Sequence, residues 1–137
     1  MIASVFVPGE PRAQGSKRGI VRNGRAVLVE SAKGLGQWRA AIGHAAGQQD
    51  CFVDQDPVGI QLTFTLPRPK SARARSLTYA AAAKKPDLDK LIRAVLDALT
   101  GVWLRDDSQV VLVLASKQVA KPEERPGVLI ELLKAPA

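Results

Sequence analysis

The sequence is poor in the residues that build covalent and metal-thiolate frameworks, with one cysteine and one histidine among 137 residues. Cys51 alone excludes an intrachain disulfide and a thiolate zinc cluster. With His44 the sole imidazole, Cys51 reads as a small buried residue, and His44 as a solvent-facing or partly packed one. Aromatics are 4% of the chain, so its core must come from Val, Leu, Ile and Ala, and a dimer interface would extend it. No stretch approaches the roughly 18 apolar residues that span a bilayer. Met1–Gly9 also lacks a basic segment followed by a long apolar run, so a soluble, cytoplasmic protein with no membrane partner is expected. A P-loop is excluded because Gly-x4-Gly-Lys-Ser/Thr is absent. There is no internal repeat and no linker, and this length suits a single domain over residues 1–137.

Acids are also in the minority, 13 against 20 Lys and Arg, for a net charge of +7. That balance favours an anionic partner without identifying it. Its distribution says more. Arg12 to Arg39 holds seven basic residues against Glu30, and Arg68 to Arg93 holds eight against Asp87 and Asp89. The remainder is net negative, a segregation suited to a phosphate-facing surface if folding brings the two stretches onto one face.

Periodicity gives the elements. Ile2–Val7 is a short β-branched run closed by Pro8 and Gly9. Gly9–Gly19 reads as a flexible basic loop whose Ser16, Lys17 and Arg18 are candidate phosphate contacts. Arg25–Glu30 is a possible strand, and Gly36–Gln49 a helix with Trp38 as a packing anchor. Ile60–Leu66 alternates Leu62, Phe64 and Leu66 with Gln61, Thr63 and Thr65, and Pro67 and Pro69 stop it. Arg68–Lys85 reads as a basic loop carrying Arg68, Lys70, Arg73, Arg75, Lys84 and Lys85. Leu88, Leu91, Ile92, Val95, Leu96 and Leu99 have helical spacing, and Gly101 ends the helix. Gln109–Ser116 is apolar on both faces, which suits a central strand or one covered at a dimer interface. Val128–Leu133 is the last strand. The order predicts one small α/β (α+β) domain with a mixed sheet and two main helices.

The chemically distinctive run is Lys84-Lys85-Pro86-Asp87-Leu88-Asp89-Lys90-Leu91-Ile92-Arg93. Read plainly, Asp87 or Asp89 caps a helix whose first turn has unsatisfied N–H groups. Read as chemistry, Asp87 and Asp89 form one half of a carboxylate set, and one of Asp106 and Asp107, just before the apolar strand, supplies the other. Adjacent residues point apart, so at most one of that pair aims at the helix start while the other is solvent-facing or supports the turn. Three carboxylates within about 4 Å repel strongly, and Mg2+ relieves that repulsion with hard oxygen ligands. Such an ion orients a phosphodiester and activates water, while Arg93, Lys85 or Lys90 holds a phosphate oxygen. Asp97 reads as structural or solvent-facing. Spacing alone leaves open metal-dependent phosphodiester cleavage and DNA binding without cleavage.

These motifs resemble the RusA family of Holliday junction resolvases. The likeness is carried by Lys85-Pro86-Asp87-Leu88-Asp89-Lys90-Leu91-Ile92-Arg93-Ala94-Val95-Leu96-Asp97-Ala98-Leu99 and, in phase, by Gly101-Val102-Trp103-Leu104-Arg105-Asp106-Asp107-Ser108-Gln109-Val110. Weaker agreement runs through Pro11–Arg18, Leu66–Lys70 and the last strand. The resemblance implies a mixed α/β homodimer that nicks symmetry-related strands of four-way DNA junctions with Mg2+ or Mn2+, in a bacterial cell or a phage-infected host. It also implies that Asp87, Asp89 and Asp107 are the essential metal-holding carboxylates. Arg93 stands where the family commonly has a catalytic lysine, and Lys90 where asparagine is common. Because a planar guanidinium cannot copy an ammonium, Arg93 is expected to act as an electrostatic clamp. The DNA-binding set is Lys17, Arg18, Arg68, Lys70, Arg73, Arg75, Lys84, Lys85 and Lys90. The alternatives are a broader branch or flap nuclease and a DNA-binding accessory protein without turnover.

Overall fold

A computed structural model describes residues 1–15, 18–29, 33–70 and 82–137. The candidates Ser16, Lys17, Arg73 and Arg75 lie outside them. The sheet has four strands in the order β1-β6-β4-β5: β1 Ala3–Pro8, β4 Val58–Leu66, β5 Val110–Val119 and β6 Gly127–Lys134. β6 runs antiparallel to both β1 and β4, and β5 runs parallel to β4. A parallel neighbour needs a crossover, and α2, Leu88–Leu99, provides it. The expected mixed sheet with two helices is therefore present.

Alternation decides which face is covered. Ile60, Leu62 and Phe64 of β4 pair in register with Leu132, Ile130 and Val128 of β6, and all six are buried. Against them lie Leu91, Val95 and Leu99 of α2, and Leu35, Trp38 and Ile42 of α1, Leu35–Gly47. Each such buried side chain contributes about 1.5–3 kcal/mol through removal of apolar surface from water. Trp38 is the expected packing anchor. His44 is exposed in the last turn of α1. Cys51 is half-buried, and burial followed by the neighbouring Asp50 pushes its thiol pKa up, away from the reactive thiolate. No helix among the described residues is long and apolar enough to cross a membrane.

Two elements differ from the sequence reading. The Gly9–Gly19 loop ends early, because β2, Arg18–Arg22, pairs with β3, Arg25–Val29, in a separate two-stranded hairpin. Its turn is Asn23-Gly24, both at positive φ, the dipeptide that matches the twist of a two-residue hairpin. The second difference is at β5. Among the described residues it is an edge strand, hydrogen-bonded to β4 alone, and so not the central strand that its composition allowed. Val111, Val113 and Leu114 are exposed there.

Gly127 lies in close backbone contact with β1. A Cβ at this position would collide with the Val7 carbonyl oxygen and sit 2.6 Å from Phe6 Cζ. Gly127→Ala is expected to destabilise the fold by about 1–3 kcal/mol, as overpacking does. Urea unfolding checks it, and an unchanged midpoint would mean that β1 shifts freely.

Candidate active site

Asp87 occupies the N-cap position of α2 in extended conformation, yet its side chain makes no capping hydrogen bond. The carboxylate turns instead to two lysines. Lys85 Nζ lies 3.1 Å from Oδ1, and Lys90 Nζ lies 3.4 Å from Oδ2. The hydrogen bond from Lys85, supported by its charge and by Lys90, holds the Asp87 carboxyl below its ordinary pKa. A carboxylate so placed stays ionised at neutral pH. Lys85→Met is expected to raise the Asp87 pKa toward that of an ordinary aspartate, read from its carboxyl carbon shift in an NMR titration. An unmoved titration would assign the depression to Lys90.

The ground under Asp87 is fixed from β5. Lys117 Nζ donates to the carbonyl oxygens of Lys84, at 2.6 Å, and Pro86, at 2.7 Å. It thereby ties the turn that presents Asp87 to the sheet. Sequence reasoning missed Lys117, although a single cation in a Val/Leu-rich strand was a visible signal.

A cavity of about 550 Å³ opens beside Asp87, walled by the Glu10–Ala13 loop, Lys33 and the Lys85–Lys90 corner. Arg12 and Lys33 come from the first basic stretch, and Lys85 and Lys90 from the second. The fold has thus brought cations of both stretches to one site. The loop is held by Gln14, whose N–H donates to the Lys90 carbonyl at 3.0 Å and whose Oε1 accepts from Arg39 at 2.9 Å. Arg39 also pairs with Asp97 at 3.3 Å, which gives Asp97 a structural role.

Asp89 and Arg93 are exposed on α2. Although they are four residues apart, no ion pair joins them among the described residues. Arg68 donates to the Ala120 carbonyl at 3.2 Å, at the exit of β4. Lys70 and Lys84 are exposed. Arg18 opens β2, and its side chain falls outside what the structure describes.

Of the adjacent pair Asp106 and Asp107, Asp106 supports the turn and neither is aimed at the start of α2. Asp106 caps the short 3-10 helix Asp107–Gln109, accepting from the Ser108 N–H at 3.1 Å. Hydrogen bonds from the Ser108 hydroxyl and N–H, and then from the Asp107 N–H, lower its pKa. Asp107 remains exposed. It stands at the other end of α2, however. The Lys117 bonds put the C-terminal half of β5 beside the head of α2, whereas Asp107 precedes the first residue of β5. The 12 residues of α2 separate the ends by roughly 18 Å at α-helical rise. Accordingly, among the described residues no three His, Cys, Asp or Glu side chains gather closely enough to hold one cation.

The family model described as Endodeoxyribonuclease RusA matches residues 8–132. The chain belongs to the RusA family. A relative is the Bacillus subtilis (strain 168) protein named "Uncharacterized protein YqaN", 33% identical over 138 residues, which cover 94% of this chain and 95% of that protein. The RusA match spans both aspartate motifs, the basic loop before β2 and all but the end of β6. The pocket beside Asp87 therefore lies in the fold of an endodeoxyribonuclease family.

Proposed function

We propose that this RusA-family chain is a Mg2+-dependent endonuclease of four-way DNA junctions, working as a homodimer that makes paired symmetric nicks. The observation that carries the reading is Asp87. It takes a helix-cap position without capping, and its ionised carboxylate faces a basic pocket of nucleotide size. Asp87 and Asp89 are hard oxygen donors at an exposed helix head, and they fit Mg2+, which is commonly held by one or two protein carboxylates plus water and phosphate oxygens. When bound, the ion supplies charge for the phosphodiester and a more acidic water. Mn2+ suits the same donors.

Asp107 enters this reading from a second subunit. Among the described residues β5 has β4 as its one neighbour and exposes Val111, Val113 and Leu114, and an apolar edge of this kind is a template for another strand. An antiparallel, two-fold pairing of β5 with itself, centred near Leu112, lays Val111 against Val113 of the partner subunit. It also brings the 3-10 turn bearing Asp107 of the partner subunit toward Lys117, whose ammonium is bonded to Pro86 beside Asp87. The charges agree with that pairing. The end of each chain bearing Asp50, Asp54, Asp56 and Asp106 would meet the end bearing Lys84, Lys85 and Lys117.

The chain's own residues then divide the work. Asp87 and Asp89 bind the cation. Lys90 and Arg93 hold the phosphate, Arg93 as a clamp rather than a proton carrier. Lys117 keeps the Asp87 turn in place. Arg68, Lys70, Lys84 and Lys85, with Lys17, Arg18, Arg73 and Arg75, bind backbone phosphates regardless of sequence. The separation of Asp107 from Asp87 in one chain supports a second reading, a DNA-binding protein without turnover. Cleavage of labelled four-way, forked and linear DNA, with and without Mg2+, tests both. Paired nicks in the four-way junction with Mg2+ are expected. A single cut near the fork would indicate a flap nuclease, and binding without metal-dependent cutting would favour the second reading.

A further inference from the structure

We propose that the pocket beside Asp87 is a subsite for the nucleotide adjacent to the cut, with Arg12 and Lys33 holding its phosphate. This inference rests on the nuclease reading and deepens it. The cavity of about 550 Å³ is in the range of small-ligand sites. Its wall carries Arg12, Lys33, Lys85 and Lys90 against Glu10 and Asp87, an excess of positive charge. Lys85 and Lys90 already pair with Asp87. Arg12 and Lys33 are the other cations that line the cavity.

Arg12 is oriented before any ligand arrives. Glu10 Oε2 holds one terminal nitrogen at 3.0 Å, and a guanidinium fixed at one edge still offers N–H groups at the other for two phosphate oxygens. The side chain lies across Gly34 at the head of α1, where a Cβ would stand 3.3 Å from Arg12 Nε. Gly34 has φ 77°, and α1 has no acid in its first turn, so the positive end of that helix faces the same region. Pro11, Ala13 and Pro86 line the rest of the pocket and suit the apolar side of a sugar. Because Gln14 ties the loop to both helices through Lys90 and Arg39, the pocket needs little ordering on binding.

The test titrates the full chain with thymidine 5′-monophosphate and follows NMR shifts of the Arg12 guanidinium and the Lys33 amide. Junction cleavage kinetics are measured in parallel. Saturable shifts at both residues are expected. Arg12→Ala should raise about tenfold both the nucleotide concentration at which the Lys33 shift saturates and KM for the junction, the effect of losing one charge-assisted contact. Arg12→Lys should recover part of that loss. Should Arg12→Ala fail to fold, Lys33→Ala, at an exposed position, carries the same expectation for the Arg12 shift and KM. Parental KM in these variants, or no nucleotide shift in the parent, would overturn the subsite. Shifts that persist in a protein that cuts no DNA would leave the subsite standing and remove the nuclease reading instead.

Discussion

Asp87→Asn is expected to leave junction binding close to that of the parent while lowering Mg2+-dependent cleavage by roughly a hundredfold or more, since it removes a charged ligand where transition-state charge is neutralised. Binding should survive because the phosphate contacts proposed above belong to the cations around Asp87 and not to Asp87 itself. Asparagine keeps the size of the side chain and cannot cap any less well than Asp87, which makes no capping bond, so the fold is not at stake. Gel-shift and cleavage assays on the same labelled junction measure the two quantities separately. Parental cleavage by Asp87→Asn would remove Asp87 from the chemistry.

The second prediction concerns where Asp107 acts. If Asp107 serves the site of the partner subunit, Asp87→Asn and Asp107→Asn are each inactive alone, but mixing them with subunit exchange restores cutting. In the mixed dimer one site receives both altered residues, and the other keeps both aspartates. Random exchange makes half of the dimers mixed, so about a quarter of the parental nicking rate is expected from the isologous geometry. Val111→Lys, on the free edge of β5, should give a monomer by sedimentation and no cutting, because a charge at the seam opposes strand pairing. No recovery on mixing, with exchange verified by a tag on one subunit, would return Asp107 to its own chain or exclude it from the site.

The site was readable in the sequence where local chemistry was enough. The Asp87-x-Asp89 pair before a run of helical period announced both the helix and its unusual head, and the adjacency of Asp106 and Asp107 meant that at most one of them could aim at it. The missed residues share one cause. Arg12, Lys33 and Lys117 are distant in sequence from Asp87, and nothing in their own neighbourhoods says that they meet it. Only a sheet that lays β5 beside β4, with α2 crossing between them, brings Lys117 under Pro86 and the Glu10–Ala13 loop over Lys90.

The sequence by itself determined the two helices and the four strands of the main sheet, the aliphatic core and the surplus of positive charge. Side-chain period and charge are local properties, and folding does not change them. Tertiary structure decided two matters that no local property contains. It placed the apolar β5 at an edge rather than at the centre, because strand order depends on which chain segments pair across the sheet. It also set Asp107 a full helix length from Asp87, because a parallel crossover returns the chain to the end of the sheet where it began. A strand composed for burial and a carboxylate set divided between two ends follow from that one topology.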